Sequence, residues 1–334
     1  MKRILITGAS GFIGSFIAEE ALRRGLETWV AVRKTSSREY LTDERLNFLE
    51  VDMGNEQRLR EALKGMSFDY IVHAAGVTKC IDKEEFYRVN TEGTRNLVGA
   101  ITELDMKIEK MVFLSSLSVM GAIREQQPYR EIEEDDQPQP NTEYGKSKLE
   151  AERYLRTAGE QTGLPYVILR PTGVYGPREK DYFIMAKSIK NHSDFAVGFK
   201  PQDITFVYVK DVVQAVFLAL EKGQTGRAYF LSDGKVYRSS TFSNLIRREL
   251  GNPWWIRITA PIWVLRIVTA LGDFIGRKRG KISALNNDKY NILKQRNWRC
   301  NIQPAIDELG YKPEYDLERG VKETIAWYKL QRWL

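Results

Sequence analysis

The first fourteen residues constrain this chain most. Arg3-Ile4-Leu5-Ile6-Thr7 has strand composition and runs without a break into Gly8-Ala9-Ser10-Gly11-Phe12-Ile13-Gly14, where a helical pattern begins. The spacing is G-x-x-G-x-x-G rather than G-x-G-x-x-G, but the physics is shared. Glycines allow a tight turn and let backbone N–H groups approach a pyrophosphate, while the new helix offers its positive end. Strand, turn and helix in that order are the context in which such a pattern reads as a dinucleotide cradle. Gly8, Gly11, Phe12, Ile13 and Gly14 are therefore the first cofactor-binding candidates.

The rest of the chain extends the same rhythm. Residues 3–7, 28–33, 47–51, 69–74, 110–115 and 165–170 read as strands, and 12–24, 55–64, 81–104 and 142–160 as helices. Strands alternating with helices imply right-handed crossovers and a Rossmann-type, doubly wound parallel α/β sheet. After 170 the alternation weakens to a helix at 181–190, a strand at 204–208, a helix at 210–222 and a strand at 227–231. The expected organisation is a dinucleotide domain over 1–170, rejoined by about 204–231. A smaller mixed α/β substrate region is expected from 171–203 and 232–334. The acidic, proline-rich segment 128–140 reads as a solvated loop.

Arg33 stands at the end of the second strand, where an NAD site usually carries an acid for the ribose 2′-hydroxyl. A cation there suits a 2′-phosphate, so NADP is the preferred cofactor, with NAD the alternative. Asp52, followed by Met53, is placed to accept from the adenine amino group. Ala74-Ala75-Gly76 offers a wall of little bulk.

Tyr144 and Lys148 lie at i and i+4 on the helix that continues to about residue 160. A phenol is a poor base at neutral pH, and an adjacent ammonium is expected to lower its pKa. Upstream, the fifth strand ends in Leu114-Ser115-Ser116-Leu117-Ser118-Val119-Met120-Gly121, and a hydroxyl at that end of a parallel strand faces the ligand crevice. Without the glycine turn, Tyr144 and Lys148 would read as an ordinary surface pair.

With these motifs in place, the chain resembles the extended short-chain dehydrogenase/reductases, the NAD-dependent epimerase/dehydratase type, over essentially its whole length. Further matching segments are Asn90-x-x-Gly93-Thr94, Arg170-Pro171-Thr172-Gly173-Val174-Tyr175-Gly176-Pro177 and Phe206-Val207-Tyr208-Val209-Lys210-Asp211-Val212. The resemblance implies Tyr144 as general acid/base, Lys148 holding the ribose and tuning Tyr144, and Ser116, with Ser118 the nearby alternative, polarising the substrate oxygen. It places Pro171 and Val174 beside the nicotinamide. Thr78, Ser118, Tyr175 and Arg178 are the expected substrate residues. Leu117 and Ser118 stand where the family's dehydratases carry an Asp-Glu pair, which argues against loss of water. Ala31-Val32-Arg33-Lys34 is similar to the dihydroflavonol-reductase and 3β-hydroxysteroid-dehydrogenase-like branch. Lys210 replaces a common acid. The implied activity is interconversion of a secondary alcohol and a ketone. The alternatives are a nucleotide-sugar epimerase and, in another class, a non-catalytic dinucleotide-binding regulator.

Composition adds one anomaly. The net charge of +7 is concentrated: residues 251–300 hold ten lysines and arginines against two acids, together with four of the seven tryptophans. No nucleic-acid motif accompanies that block, and no nucleic-acid partner is expected. Residues 261–277 read as a helix with Arg266, Thr269, Asp273 and Arg277 on one stripe and a wide apolar arc. Three readings follow: a core or dimer-interface helix, an apolar lid over a hydrophobic small-molecule substrate, or a peripheral membrane contact through 253–281. Charges interrupt the window too often for a transmembrane span. Two cysteines, Cys80 and Cys300, and two histidines, His73 and His192, make neither a disulfide framework nor a metal site. A cytoplasmic homodimer without a metal is the resulting expectation.

Overall fold

A computed structural model of the chain describes residues 1–279 and 286–334. The side chains of 273–279 and all of 280–285 lie outside the described residues, and with them the sequence readings on Asp273 and the basic run Arg277–Lys281.

Six strands come first: β1 (Arg3–Thr7), β2 (Glu27–Val32), β3 (Asn47–Glu50), β4 (Tyr70–His73), β5 (Lys110–Leu114) and β6 (Tyr166–Pro171). Short strands follow as β7 (Gly173–Tyr175), β8 (Ser193–Val197), β9 (Asp203–Ile204) and β10 (Phe206–Tyr208), then β11 (Ala228–Leu231), β12 (Tyr237–Arg238) and β13 (Ile256–Ala260). The helices are α1 (Phe12–Arg23), α2 (Glu56–Leu63), α3 (Lys83–Phe86), α4 (Gly93–Glu103), α5 (Glu143–Thr162), α6 (Asp181–Lys190), α7 (Val209–Lys222), α8 (Ser239–Glu249), α9 (Ile262–Arg279), α10 (Asn287–Lys294) and α11 (Leu317–Leu330). A π-helical stretch, Tyr87–Glu92, joins α3 to α4.

The central sheet has seven strands in the order β11-β6-β5-β4-β1-β2-β3, every pairing parallel. Strand order reverses between β1 and β4, which opens a crevice at their carboxyl ends. The apolar runs explain why both faces are covered. Ile4 and Ile6 feed one core layer and Leu5 the other, as do Val112 and Leu114 against Met111 and Phe113. Alternate side chains of a strand point to opposite faces, so a continuous apolar run requires helices on both. The doubly wound parallel fold expected from the alternation is the fold observed.

The expected strand at 204–208 is two strands that break at Thr205, whose hydroxyl donates to the Trp298 carbonyl. β10 pairs with β7 and β9 with β12, away from the central sheet, whereas β11 does return to it beside β6. The segment 128–140 is a loop, but it is tied down at several points rather than solvated throughout. Ile132 is fully buried in the main core, Arg299 and Asn301 bracket it with backbone hydrogen bonds, and Glu134 pairs with Arg227 at 2.6 Å.

A third core gathers Tyr175, Phe206, Tyr208 and Phe242 against α11. α9 forms over the expected range but does not bury its apolar arc. Leu265 and Thr269 face inward, while Trp263, Ile267 and Leu271 are exposed. The reading of this segment as a core helix is thereby corrected: α9 packs on α10 and buries Leu265, but most of its described apolar arc stays exposed. Among the described residues, no helix is long and apolar enough to cross a membrane.

Candidate active site

The glycine turn is built as tightly as its sequence suggests. Gly8 sits at φ +73°, and a Cβ there would stand 2.6 Å from the Ala74 carbonyl and the Ala75 nitrogen. A Cβ on Gly14 would stand 2.1 Å from the Gly8 oxygen. Both positions therefore exclude any side chain, and the amino end of α1 stays open with Gly11 as its cap, carrying no side-chain capping bond. Phe12 and Ile13 begin that helix. The loop after β4 is tied to β1, because the Ala74 N–H donates to the Thr7 carbonyl at 3.2 Å and the Ala75 N–H to the Thr7 hydroxyl at 3.2 Å.

Asn90, inside the π-helical stretch, was noted only as part of a matching segment. It accepts from the Val77 N–H at 2.8 Å, donates to the Val77 carbonyl at 3.0 Å and reaches the Ser147 hydroxyl at 3.0 Å. It thus splints Ala75–Val77 to α5. Gly76 lies so close that a Cβ would meet Asn90 Oδ1 at 3.0 Å. Beneath this loop His73 is fully buried, bonded to Thr7 at 2.6 Å and Thr94 at 2.9 Å, and burial lowers its pKa to about 3. It is a neutral structural residue.

Arg33 is exposed just past β2, with its backbone N–H donating to Ser36 Oγ at 3.0 Å. Asp52 is exposed, accepts from the Gly54 N–H at 3.1 Å and faces Arg58 at 3.6 Å. Met53 lies against Gly93, and its carbonyl takes the Asn96 side chain. Pro171 is buried at the end of β6, and Val174 is partly exposed on β7.

α5 starts where Thr142 accepts from the Gly145 N–H at 2.9 Å. A second cap comes from far along the chain: Asp288 of α10 accepts from the N–H groups of Glu143 and Tyr144 at 3.0 and 3.1 Å. A carboxylate at this end also opposes the helix dipole favourably. Nothing in the sequence marked Asp288, 144 positions from Tyr144.

The Ser116 hydroxyl caps the short turn Leu117–Val119, accepting from the Ser118 N–H at 3.1 Å, and it lies close enough to Tyr144 to pull the phenol's pKa downward. Burial pushes the Tyr144 phenol up to about 12, against the pull of that hydroxyl. Lys148 is buried, with Nζ 4.0 Å from the centre of the Phe113 ring, and burial lowers its pKa to about 7 although Glu152 one turn on works upward. In the chain by itself burial is the largest influence on both groups and favours the neutral form of each. Glu152 is held by Arg170 at 2.6 Å and by the Ser115 hydroxyl, all buried. Sequence reasoning missed this support, although Arg170 and Ser115 each adjoin a motif residue.

Two expected substrate residues are placed elsewhere. Tyr175 is 1% exposed, packed against Tyr182, Phe206, Tyr208 and Phe242, and donates to the Asp316 carbonyl at 3.2 Å. It is a core residue, pressed so closely on α11 that only glycine fits at 320. Arg178 is committed to α1, bonding Ser15 at 2.9 Å and Glu19 at 2.6 Å over the Phe16 ring. Thr78 is exposed and Ser118 partly exposed, so both stay accessible. Lys210 meets Glu323 at 2.5 Å, while its neighbour Asp211 caps Glu314 and Tyr315.

A seven-stranded parallel sheet with a side-chain-free turn at its switch point defines a Rossmann dinucleotide-binding protein, and the residues present fit that ligand. The chain belongs to the NAD-dependent epimerase/dehydratase family, whose model matches residues 4–232. It is thus an enzyme of the extended short-chain dehydrogenase/reductase type, as the motifs implied. It is 24% identical to a decarboxylating sterol-4-alpha-carboxylate 3-dehydrogenase of Candida albicans, over 98% of this chain and 97% of that protein. It is 26% identical to a putative UDP-glucose 4-epimerase of Methanocaldococcus jannaschii, over 98% of each. Among solved structures, the dTDP-glucose 4,6-dehydratase DesIV of Streptomyces venezuelae, with NAD and TYD bound, superposes with a TM-score of 0.80 at 21% identity, covering 99% of this chain and 98% of that one.

Proposed function

We propose that this enzyme interconverts a secondary alcohol and a ketone, with NADP preferred over NAD. The observation that carries the reading is the arrangement of three side chains: Tyr144 and Lys148 lie one turn apart on α5, Lys148 is buried, and Ser116 is near enough to the phenol to lower its pKa. When bound, the nicotinamide supplies or takes up a hydride. Gly8, Gly11, Phe12, Ile13 and Gly14 would hold the pyrophosphate, Asp52 and Met53 the adenine side, and Arg33 a 2′-phosphate. Ala74–Gly76, Pro171 and Val174 would flank the ring end. Tyr144 is a protonated phenol at neutral pH, the form that gives a proton to a forming alkoxide. Ser116 orients the substrate oxygen, and Lys148 anchors the ribose and, in its protonated form, supplies the charge that lets Tyr144 act in reverse.

Leu117 and Ser118 provide no carboxylate for elimination. The resemblance to a sterol dehydrogenase, taken with the exposed apolar residues Trp263, Ile267 and Leu271 of α9, favours a hydrophobic substrate. A nucleotide-sugar epimerase remains the rival within the family, and it would leave no net reduced cofactor. The test is Tyr144→Phe, assayed against a panel of alcohols by NADPH formation. Turnover should fall at least about a hundredfold, as expected for removal of a general acid/base, with NADP affinity unchanged within a few-fold. Retained turnover in the variant would sink the assignment.

A further inference from the structure

We infer that Glu152 is a positioning residue for the reaction: braced by Arg170 and Ser115, it fixes Lys148 and serves as its counter-charge. The inference rests on the reading of Lys148 as the ribose anchor. Arg170 grips the Glu152 carboxylate with two bonds, Nε to Oε1 at 3.1 Å and Nη2 to Oε2 at 2.6 Å. Such a two-pronged contact fixes the plane of the carboxylate as well as its place. The Ser115 hydroxyl donates to Oε1 as well. All three residues, like Lys148, are at most 5% exposed.

Each member of the brace adjoins a site residue. Ser115 follows β5 and precedes Ser116, and Arg170 lies on β6 next to Pro171. Glu152 follows Lys148 by one turn of α5. One carboxylate thus ties together three elements that carry site residues. Burying an ion pair gains little over apolar packing of similar volume, which points to a use for the charge beyond stability.

Lys148 supplies that use. Its ammonium lies 4.0 Å from the centre of the Phe113 ring, and burial works against its charge. Of the titratable groups around it, His73 on β4 is neutral and Tyr144 is a protonated phenol. Glu152 supplies the negative charge that works in favour of the ammonium. Arg170, the other cation of the cluster, holds the same carboxylate in place. A neutral lysine would fill the same space but donate more weakly to a ribose hydroxyl.

The test is NAD binding by the full-length protein, followed by fluorescence titration across pH. NAD is the probe because it lacks the 2′-phosphate, a monoester that itself titrates near about pH 6. Wild-type affinity should fall as pH rises through the Lys148 pKa of about 7. Glu152→Gln keeps the shape but not the charge, and should move that fall lower by about one pH unit. Glu152→Gln/Arg170→Met, which leaves no unpaired guanidinium, should move it in the same direction. Far-UV circular dichroism checks folding, and the double variant carries the comparison if the single one does not fold. Lys148→Met should bind NAD more weakly and without this pH dependence. If it binds as the wild type does, the ribose-anchor reading falls and the inference with it. If Lys148→Met behaves as expected but the fall stays at the wild-type pH without Glu152, the inference alone is overturned.

Discussion

Lys148 illustrates what single residues give up for the site. Its pKa falls from 10.5 to about 7 on burial. Between those values the unfolded chain binds a proton that the folded chain does not. Stability of the cofactor-free protein should therefore rise as pH goes from 7 toward 10.5, and the penalty should be fully present below about pH 7. Lys148→Met should remove that slope. It should also stabilise the cofactor-free protein at pH 7 by something on the order of a few kcal/mol while abolishing turnover. Thermal melts of both proteins across pH check it, and a pH-independent difference would refute it. At Arg33 the expected outcome is selective: Arg33→Ala should weaken NADP binding by roughly 10- to 100-fold, the value of a charge-assisted contact, and leave NAD unchanged. Fluorescence titration with both dinucleotides decides it. These residues were legible because their roles depend on local spacing: glycine at 8 and 14, and Tyr144 and Lys148 one turn apart. Tyr175 misled because a motif position says nothing about which way an aromatic ring turns, and here it turns into the core.

At the scale of elements, local pattern again set what was readable. The strands of the central sheet are continuous apolar runs, and α5 begins at a threonine cap and ends at Gly163 with φ +72°. β8, β12, β13 and α10 escaped notice because they are short, pair with distant segments, or bury little apolar surface of their own. The same distance hid Asp288. Asp288→Ala should cost about 1 kcal/mol, the usual worth of a helix cap. It should also loosen α10 from α5, visible as faster amide exchange at Glu143 and Tyr144. Unchanged exchange there would show that the Thr142 cap suffices alone.

The molecule as a whole is interleaved. β11, from beyond residue 227, completes the sheet beside β6, α7 packs on α1, and the main core includes Val212, Val216 and Phe217 together with Ile4 and Ile17. A fragment of residues 1–170 would expose that layer, so it should be insoluble or molten. The full chain should instead unfold in one transition, seen alike by circular dichroism and tryptophan fluorescence. Two separated transitions would contradict this. Interleaving also bears on how the enzyme is made. The carboxylate that caps the Tyr144 helix is contributed by residue 288 of 334. A nascent chain must therefore extend 144 residues past Tyr144 before the helix that carries the proposed acid/base acquires that anchor, and until then the Asp288 side of the helix end waits on water.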